Sequence, residues 1–239
     1  MVCFLTSAPL IDTENFGFKD VNGFLTEIKG AVKDNCWTLF ICSDPESHEK
    51  TGKFSTEIRE NFEKSGIRFS QMKILDGRNK QWARELIENS DFIILAGGHV
   101  PTQNKFFEEI GLKGLLEDFS GVIMGISAGT MNSAEVVYAH PELDGEAVDP
   151  GYRRFLKGLG LTKAMVLPHY QDIKDDMLDG FRVFEDIAYP DSMGRKFYAI
   201  PDGSYIFIKD GIQELRGEAW LIEDGVCGKV CDVGEKIVL

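Results

Sequence analysis

The chain has 239 residues, 43% of them hydrophobic and 27% charged, with a formal net charge of −13. That apolar share can fill a large core without a metal or disulfide staple. The acidic balance argues against nucleic acid and anionic membrane surfaces as partners, because phosphates would be repelled. The five cysteines (Cys3, Cys36, Cys42, Cys227 and Cys231) are odd in number and contain no CxxC pair. No zinc ribbon or thioredoxin-like site is therefore legible, and the pattern suits a reducing, cytoplasmic setting. The N-terminal Met-Val-Cys-Phe-Leu-Thr-Ser lacks a basic region and a long apolar stretch, so no signal peptide is expected. No run reaches the roughly 18 apolar residues of a membrane span.

In chain order, Val2–Thr6 reads as a strand, and 19–32 carries apolar residues at helical spacing (Val21, Phe24, Leu25, Ile28, Val32). The continuous apolar run 37–42 predicts a strand buried on both faces. A charged helix over 51–65, a strand over 69–75, a short helix over 81–89 and a strand at 92–95 follow. The last of these ends at Gly97-Gly98. Residues 102–119 are predicted helical with a break at Gly111 or Gly114, and 122–126 form a strand that runs straight into Ser127. Beyond the helix expected at 130–137 the character changes. Short strands are predicted at 165–167, 197–200, 205–208, 219–222 and 229–230, with a helix over 177–186. Asp210-Gly211 and Asp224-Gly225 mark hairpin turns. Strands alternating with helices imply a doubly wound, mostly parallel α/β sheet with helices on both faces, and the C-terminal strands imply an antiparallel extension. One domain over 1–239 is expected. In such sheets ligands sit at the carboxyl ends of the strands, where both glycine-rich segments fall.

Gly125-Ile126-Ser127-Ala128-Gly129, between a strand and a helix, has the pattern of a nucleophile elbow. The sharp turn needs small neighbours, and it lifts the serine hydroxyl clear of the sheet. The N–H of Ala128, with that of Gly98 from the preceding strand end, can form an oxyanion hole. A serine nucleophile needs a base, and there are four histidines: His48, His99, His140 and His169. His48 and His140 lie in polar loops. His99 follows the glycine pair and can line the site. His169, in Val166-Leu167-Pro168-His169-Tyr170, stands at a strand end that can face the elbow, and it is the expected base. An acid must orient it. Asp202, in the turn Ile200-Pro201-Asp202-Gly203, is the candidate, with Glu142 and Asp144 as open alternatives. The order serine, histidine, acid differs from the serine, acid, histidine order of the α/β-hydrolases.

At these residues the chain resembles the peptidase E (aspartyl dipeptidase) and cyanophycinase family of serine peptidases. The resemblance rests on four ordered segments: Ile94-Leu95-Ala96-Gly97-Gly98, Gly125–Gly129, Leu167-Pro168-His169-Tyr170 and Ala199-Ile200-Pro201-Asp202-Gly203. It implies a fold like that of class I glutamine amidotransferases, with a Ser127-His169-Asp202 triad and peptide hydrolysis without metal or other cofactor. The implied substrates are short peptides, those with an N-terminal aspartate among them. The chain departs from the family at three places. His99 stands where Asn or Asp is usual, and Asp202 where glutamate is usual. The stretch after His169, where the family carries a basic residue that reads aspartate, is Gln171-Asp172-Ile173-Lys174-Asp175-Asp176, leaving Arg182 as the available cation. The alternatives are an esterase or acyl-transfer enzyme using the same triad and a non-catalytic binding protein. The oligomeric state, monomer or small homo-oligomer, is not legible.

Overall fold

A computed structural model of the chain describes residues 1–14 and 17–239. In chain order the strands are β1 (Val2–Thr6), β2 (Cys36–Ile41), β3 (Phe69–Leu75), β4 (Phe92–Leu95), β5 (Val122–Ile126), β6 (Val136–Tyr138), β7 (Phe155–Lys157), β8 (Met165–Leu167), β9 (Met177–Leu178), β10 (Phe181–Arg182), β11 (Lys196–Ala199), β12 (Tyr205–Lys209), β13 (Ile212–Arg216), β14 (Ala219–Glu223), β15 (Val226–Cys231) and β16 (Lys236–Val238). The α-helices are α1 (Phe24–Ala31), α2 (His48–Lys64), α3 (Ala83–Glu88), α4 (Val100–Glu109), α5 (Leu112–Leu115), α6 (Ala128–Asn132), α7 (Tyr170–Ile173) and α8 (Tyr189–Asp191), and Val183–Ala188 is a π-helical segment.

The main sheet has eight strands in the order β16-β13-β12-β1-β5-β4-β2-β3. From β1 to β3 neighbours run parallel, while β12, β13 and β16 add antiparallel beside β1. A second sheet, β15-β14-β11-β8, is antiparallel except where β8 lies parallel to β11. This is the expected doubly wound α/β fold with an antiparallel extension, the latter now divided between two sheets.

The apolar runs explain the burial. Side chains alternate across a strand, so Ile93 and Leu95 enter one core with Leu5, Leu39 and Phe106, while Phe92 and Ile94 enter the other with Phe4, Phe40 and Phe62. Helices α1 and α2 cover the second face through Phe24, Ile28, Ile58 and Phe62; α4 and α5 cover the first through Phe106, Phe107 and Leu112. A strand with both faces covered needs no polar alternation, which is why β2 and β4 read as unbroken apolar runs.

Several boundaries differ from the sequence expectation for local reasons. The helix expected over 19–32 begins only at Phe24, because Asn22 and Gly23 both take positive φ, 54° and 76°. The helix expected over 130–137 is instead α6, which ends at Asn132 and gives way to β6. The helix expected over 177–186 is a hairpin, β9–β10, followed by the π-helical segment. Its turn is Asp179-Gly180, with φ of 52° and 85°, the same left-handed pair found at Asp210-Gly211 and Asp224-Gly225. Two consecutive positive φ values match the twist of a two-residue hairpin. Among the described residues no helix is long and apolar enough to cross a membrane.

Candidate active site

Ser127 sits between β5 and α6 with φ 49° and ψ −110°. A non-glycine residue held there stores about 1–3 kcal/mol of strain and persists only when its surroundings over-determine it. Those surroundings are visible. The Ser127 N–H donates to the carbonyls of Thr6 (3.1 Å) and Ser7 (2.8 Å). Thr130 Oγ1 donates to Thr6 O at 2.7 Å, and Thr6 Oγ1 donates to Gly125 O at 2.8 Å. The elbow is therefore tied to the end of the neighbouring strand β1. Its glycines meet a steric requirement: a Cβ on Gly125 would lie 2.8 Å from Thr130 N, and one on Gly129 2.3 Å from Leu95 O.

His169 follows β8 with φ 57° and ψ 35°, and its backbone N–H donates to Ser7 Oγ at 2.8 Å. Its ring lies between the two other expected residues, with Nε2 2.9 Å from Ser127 Oγ and Nδ1 2.8 Å from Asp202 Oδ1. The parallel pairing of β8 with β11, Leu167 opposite Ala199, delivers His169 and Asp202 to neighbouring strand ends. Aspartate is one methylene shorter than the glutamate of the resemblance, yet its carboxylate reaches the imidazole. Two residues missed in the sequence hold it there. Ser7 Oγ donates to Asp202 Oδ1 at 2.7 Å, and the Asp202 N–H donates to Gln171 Oε1 at 3.1 Å.

The electrostatics follow from this packing. Burial pulls the His169 imidazole down, but the hydrogen bond and charge of Asp202, with Asp172 and Glu142 nearby, outweigh it and hold His169 above its ordinary value. Burial would raise the Asp202 carboxyl, but hydrogen bonds from His169 and Ser7, the His169 charge and Gln171 leave it below the usual range. Glu142 is pushed up to about 7 by burial and by the charge of Glu146, against the opposing pull of His169. Its neighbour His140, 3.9 Å away through Nε2, is brought down to about 4, chiefly by burial.

The remaining expected residues divide. Gly98 lies at the end of β4, which neighbours the elbow strand β5. It has φ 149°, and a Cβ there would lie 2.3 Å from Ser43 Oγ. Among the hydrogen bonds of the described residues, none uses the N–H of Gly98 or of Ala128, so both donors stand open. His99 is not at the elbow hydroxyl: Nδ1 lies 2.7 Å from Thr102 Oγ1 and Nε2 2.8 Å from Glu146 Oε1. Arg182 is occupied elsewhere, its guanidinium bonded to both carboxylate oxygens of Asp186 at 3.1 and 2.9 Å. The alternative acid Asp144 is exposed, and Glu142 is not the acid at Nδ1. His169, Asp172 and Asp202 bring ligand atoms within 4.8 Å of one another, the one such grouping among the described residues, but Nδ1 and Oδ1 are already committed to each other.

A doubly wound sheet whose strand β5 ends in a strained serine elbow, with a histidine and a carboxylate brought to it from the ends of β8 and β11 in the second sheet, is the framework of a hydrolase that works through a serine. Residues 5–215 match the sequence model of peptidase family S51, and the chain belongs to that family of serine peptidases. Among solved structures, the chain resembles a 1.5 Å crystal structure of a Listeria monocytogenes EGD-e protein assigned provisionally to peptidase E, with a TM-score of 0.58, 17% identity and coverage of 96% of this chain and 98% of that one. At that identity the likeness concerns the fold. No curated protein matches the chain in sequence.

Proposed function

We propose that this serine peptidase hydrolyses short peptides through Ser127 as nucleophile, His169 as base and Asp202 as the acid that orients it. The observation that carries the reading is the continuous line from Ser127 Oγ to His169 Nε2 (2.9 Å) and from Nδ1 to Asp202 Oδ1 (2.8 Å). His169 takes the proton of Ser127 as Oγ attacks the scissile carbonyl, and Asp202 stabilises the imidazolium that forms. The N–H groups of Gly98 and Ala128 receive the oxyanion. His169 then gives its proton to the departing amine, and water repeats the sequence on the acyl-enzyme.

The family resemblance suggests peptides with an N-terminal aspartate. With Arg182 held by Asp186, a substrate carboxylate finds no free cation there. The acidic groups around His169 are Asp202, Asp172 and Glu142, a setting that suits a substrate ammonium better than a second carboxylate. A fluorophosphonate probe should label the wild type and not Ser127→Ala; equal labelling of both would sink the assignment. Turnover of aspartyl dipeptides, neutral dipeptides and aryl esters by the same preparation separates an aspartyl peptidase, a broader dipeptidase and an esterase.

A further inference from the structure

The proposed mechanism uses Gly98 for its N–H, and glycine has no side chain by which to be held. At φ 149° its conformation is one that L side chains rarely adopt. Two neighbours confine it. Ser43 packs against its Cα so closely that a Cβ would meet Ser43 Oγ at 2.3 Å. On the other side is His99, the next residue and the N-cap of α4.

His99 is anchored at both ring nitrogens, to Thr102 in its own helix (2.7 Å) and to Glu146 across a gap of 47 residues (2.8 Å). The side chains of His99 and Glu146 are only 23% and 16% exposed, so their bond is poorly screened and geometrically restricted. The second oxygen of Glu146 accepts the N–H groups of Glu142 (2.9 Å) and Leu143 (3.0 Å). That same loop is pinned from its far side by Asp179, whose carboxylate accepts the N–H groups of Gly145 and Ala147, each at 3.0 Å or less. One carboxylate thus bonds to the residue after the oxyanion glycine and to the loop that carries the acid beside His169.

We propose that Glu146 is a positioning residue: acting through His99, it holds the Gly98 N–H in its oxyanion-binding orientation. The inference rests on the proposed serine mechanism. Glu146 touches no reacting atom in it. A donor that works mainly on the oxyanion stabilises the transition state more than the bound substrate, so its misplacement lowers kcat and leaves KM nearly unchanged.

The test is a double-mutant cycle with Glu146→Ala and His99→Asn, assayed on the best dipeptide from the panel, with thermal unfolding as the folding control. Glu146→Ala should lower kcat about 10- to 100-fold, the effect expected when a catalytic group shifts by up to 1 Å, with KM within about threefold. His99→Asn should do the same from the other side, and it carries the test if Glu146→Ala does not fold. The double variant should be no slower than the worse single, because the two residues act as a unit. Glu146→Gln can accept from Glu142 and Leu143 through its oxygen and donate to His99 through its nitrogen. It should recover kcat to within about threefold of wild type. An unchanged kcat in a folded Glu146→Ala, a loss confined to KM, additive losses in the double variant, or a Glu146→Gln as slow as Glu146→Ala would each overturn the proposal. Ser127→Ala, assayed alongside, keeps the two readings apart. If it is as active as wild type, the serine mechanism falls; if it is inert while Glu146→Ala is fully active, only the role of Glu146 falls.

Discussion

Two histidines in this molecule are built alike. His169 has Asp202 at 2.8 Å on one ring nitrogen and the hydroxyl of Ser127 at 2.9 Å on the other; His99 has Glu146 at 2.8 Å and the hydroxyl of Thr102 at 2.7 Å. Burial does not separate them, since the paired side chains are 33% and 26% exposed in the first case and 23% and 16% in the second. What differs is the backbone under the hydroxyl. Ser127 stands on a turn at φ 49°, beside the open N–H of Ala128. Thr102 lies within the first turn of an ordinary helix, α4, where its hydroxyl merely steadies the ring. A carboxylate, an imidazole and a hydroxyl in line are therefore not enough to define a catalytic triad. The elbow distinguishes the pair read as doing chemistry from the pair read as holding a loop.

Substitutions sharpen this comparison. Asp202→Asn should lower kcat about 10⁴-fold, because the amide favours the wrong imidazole tautomer, whereas Glu146→Gln should stay within about threefold. Comparable losses in both would erase the distinction. The pH profile adds a sign. Catalysis needs neutral His169, whose value lies above the ordinary 6.5, so kcat/KM should fall as pH drops through that raised value. Asp202→Asn removes an upward influence, and the acid limb should move to lower pH; movement to higher pH would contradict the assignment. Next in size is Gly98→Ala, whose methyl group would collide with Ser43. It should lower kcat about 10²- to 10³-fold, the range for a lost oxyanion donor, with partial recovery when Ser43 is also changed to Gly. The smallest effect is that of Ser7→Ala. It removes a donor to Asp202 and the acceptor of the His169 N–H, so kcat should drop about tenfold, equivalent to roughly 1.4 kcal/mol. Ser7→Thr, which keeps the hydroxyl, tests whether that donor accounts for the drop.

The legible parts of the site were those where a steric or chemical rule leaves few residue types. An elbow that packs Gly129 against Leu95 O admits no side chain, so the Gly-x-Ser-x-Gly pattern shows in one dimension. His169 could be singled out because there are only four histidines and this one, in Leu167-Pro168-His169, stands at a predicted strand end that can face the elbow. Asp202 was one of three acids until the β8–β11 pairing brought it to Nδ1. Ser7 and Glu146 could not be found in this way. A serine at a strand end and a glutamate in a polar loop are common, and their partners lie 195 and 47 residues away. The β9–β10 hairpin was misread for a different reason. Leu178, Phe181 and Phe184 fall at helical spacing, while the Asp179-Gly180 dipeptide between them is a turn signal. Here the two positive φ values decide the matter, because a helix cannot contain them.

Ser7 has one more consequence. It directly follows β1, the strand lying between β5 and β12, and it bonds to the elbow serine through its carbonyl and to His169 and Asp202 through its hydroxyl. On the proposed mechanism, the nucleophile belongs to the first 127 residues and its activation to segments 40 and more residues later. On that mechanism, a chain emerging from the ribosome carries an unactivated serine until His169 and Asp202 have been synthesised and brought to it. A product truncated before Asp202 should, on the same mechanism, lose at least as much activity as Asp202→Asn.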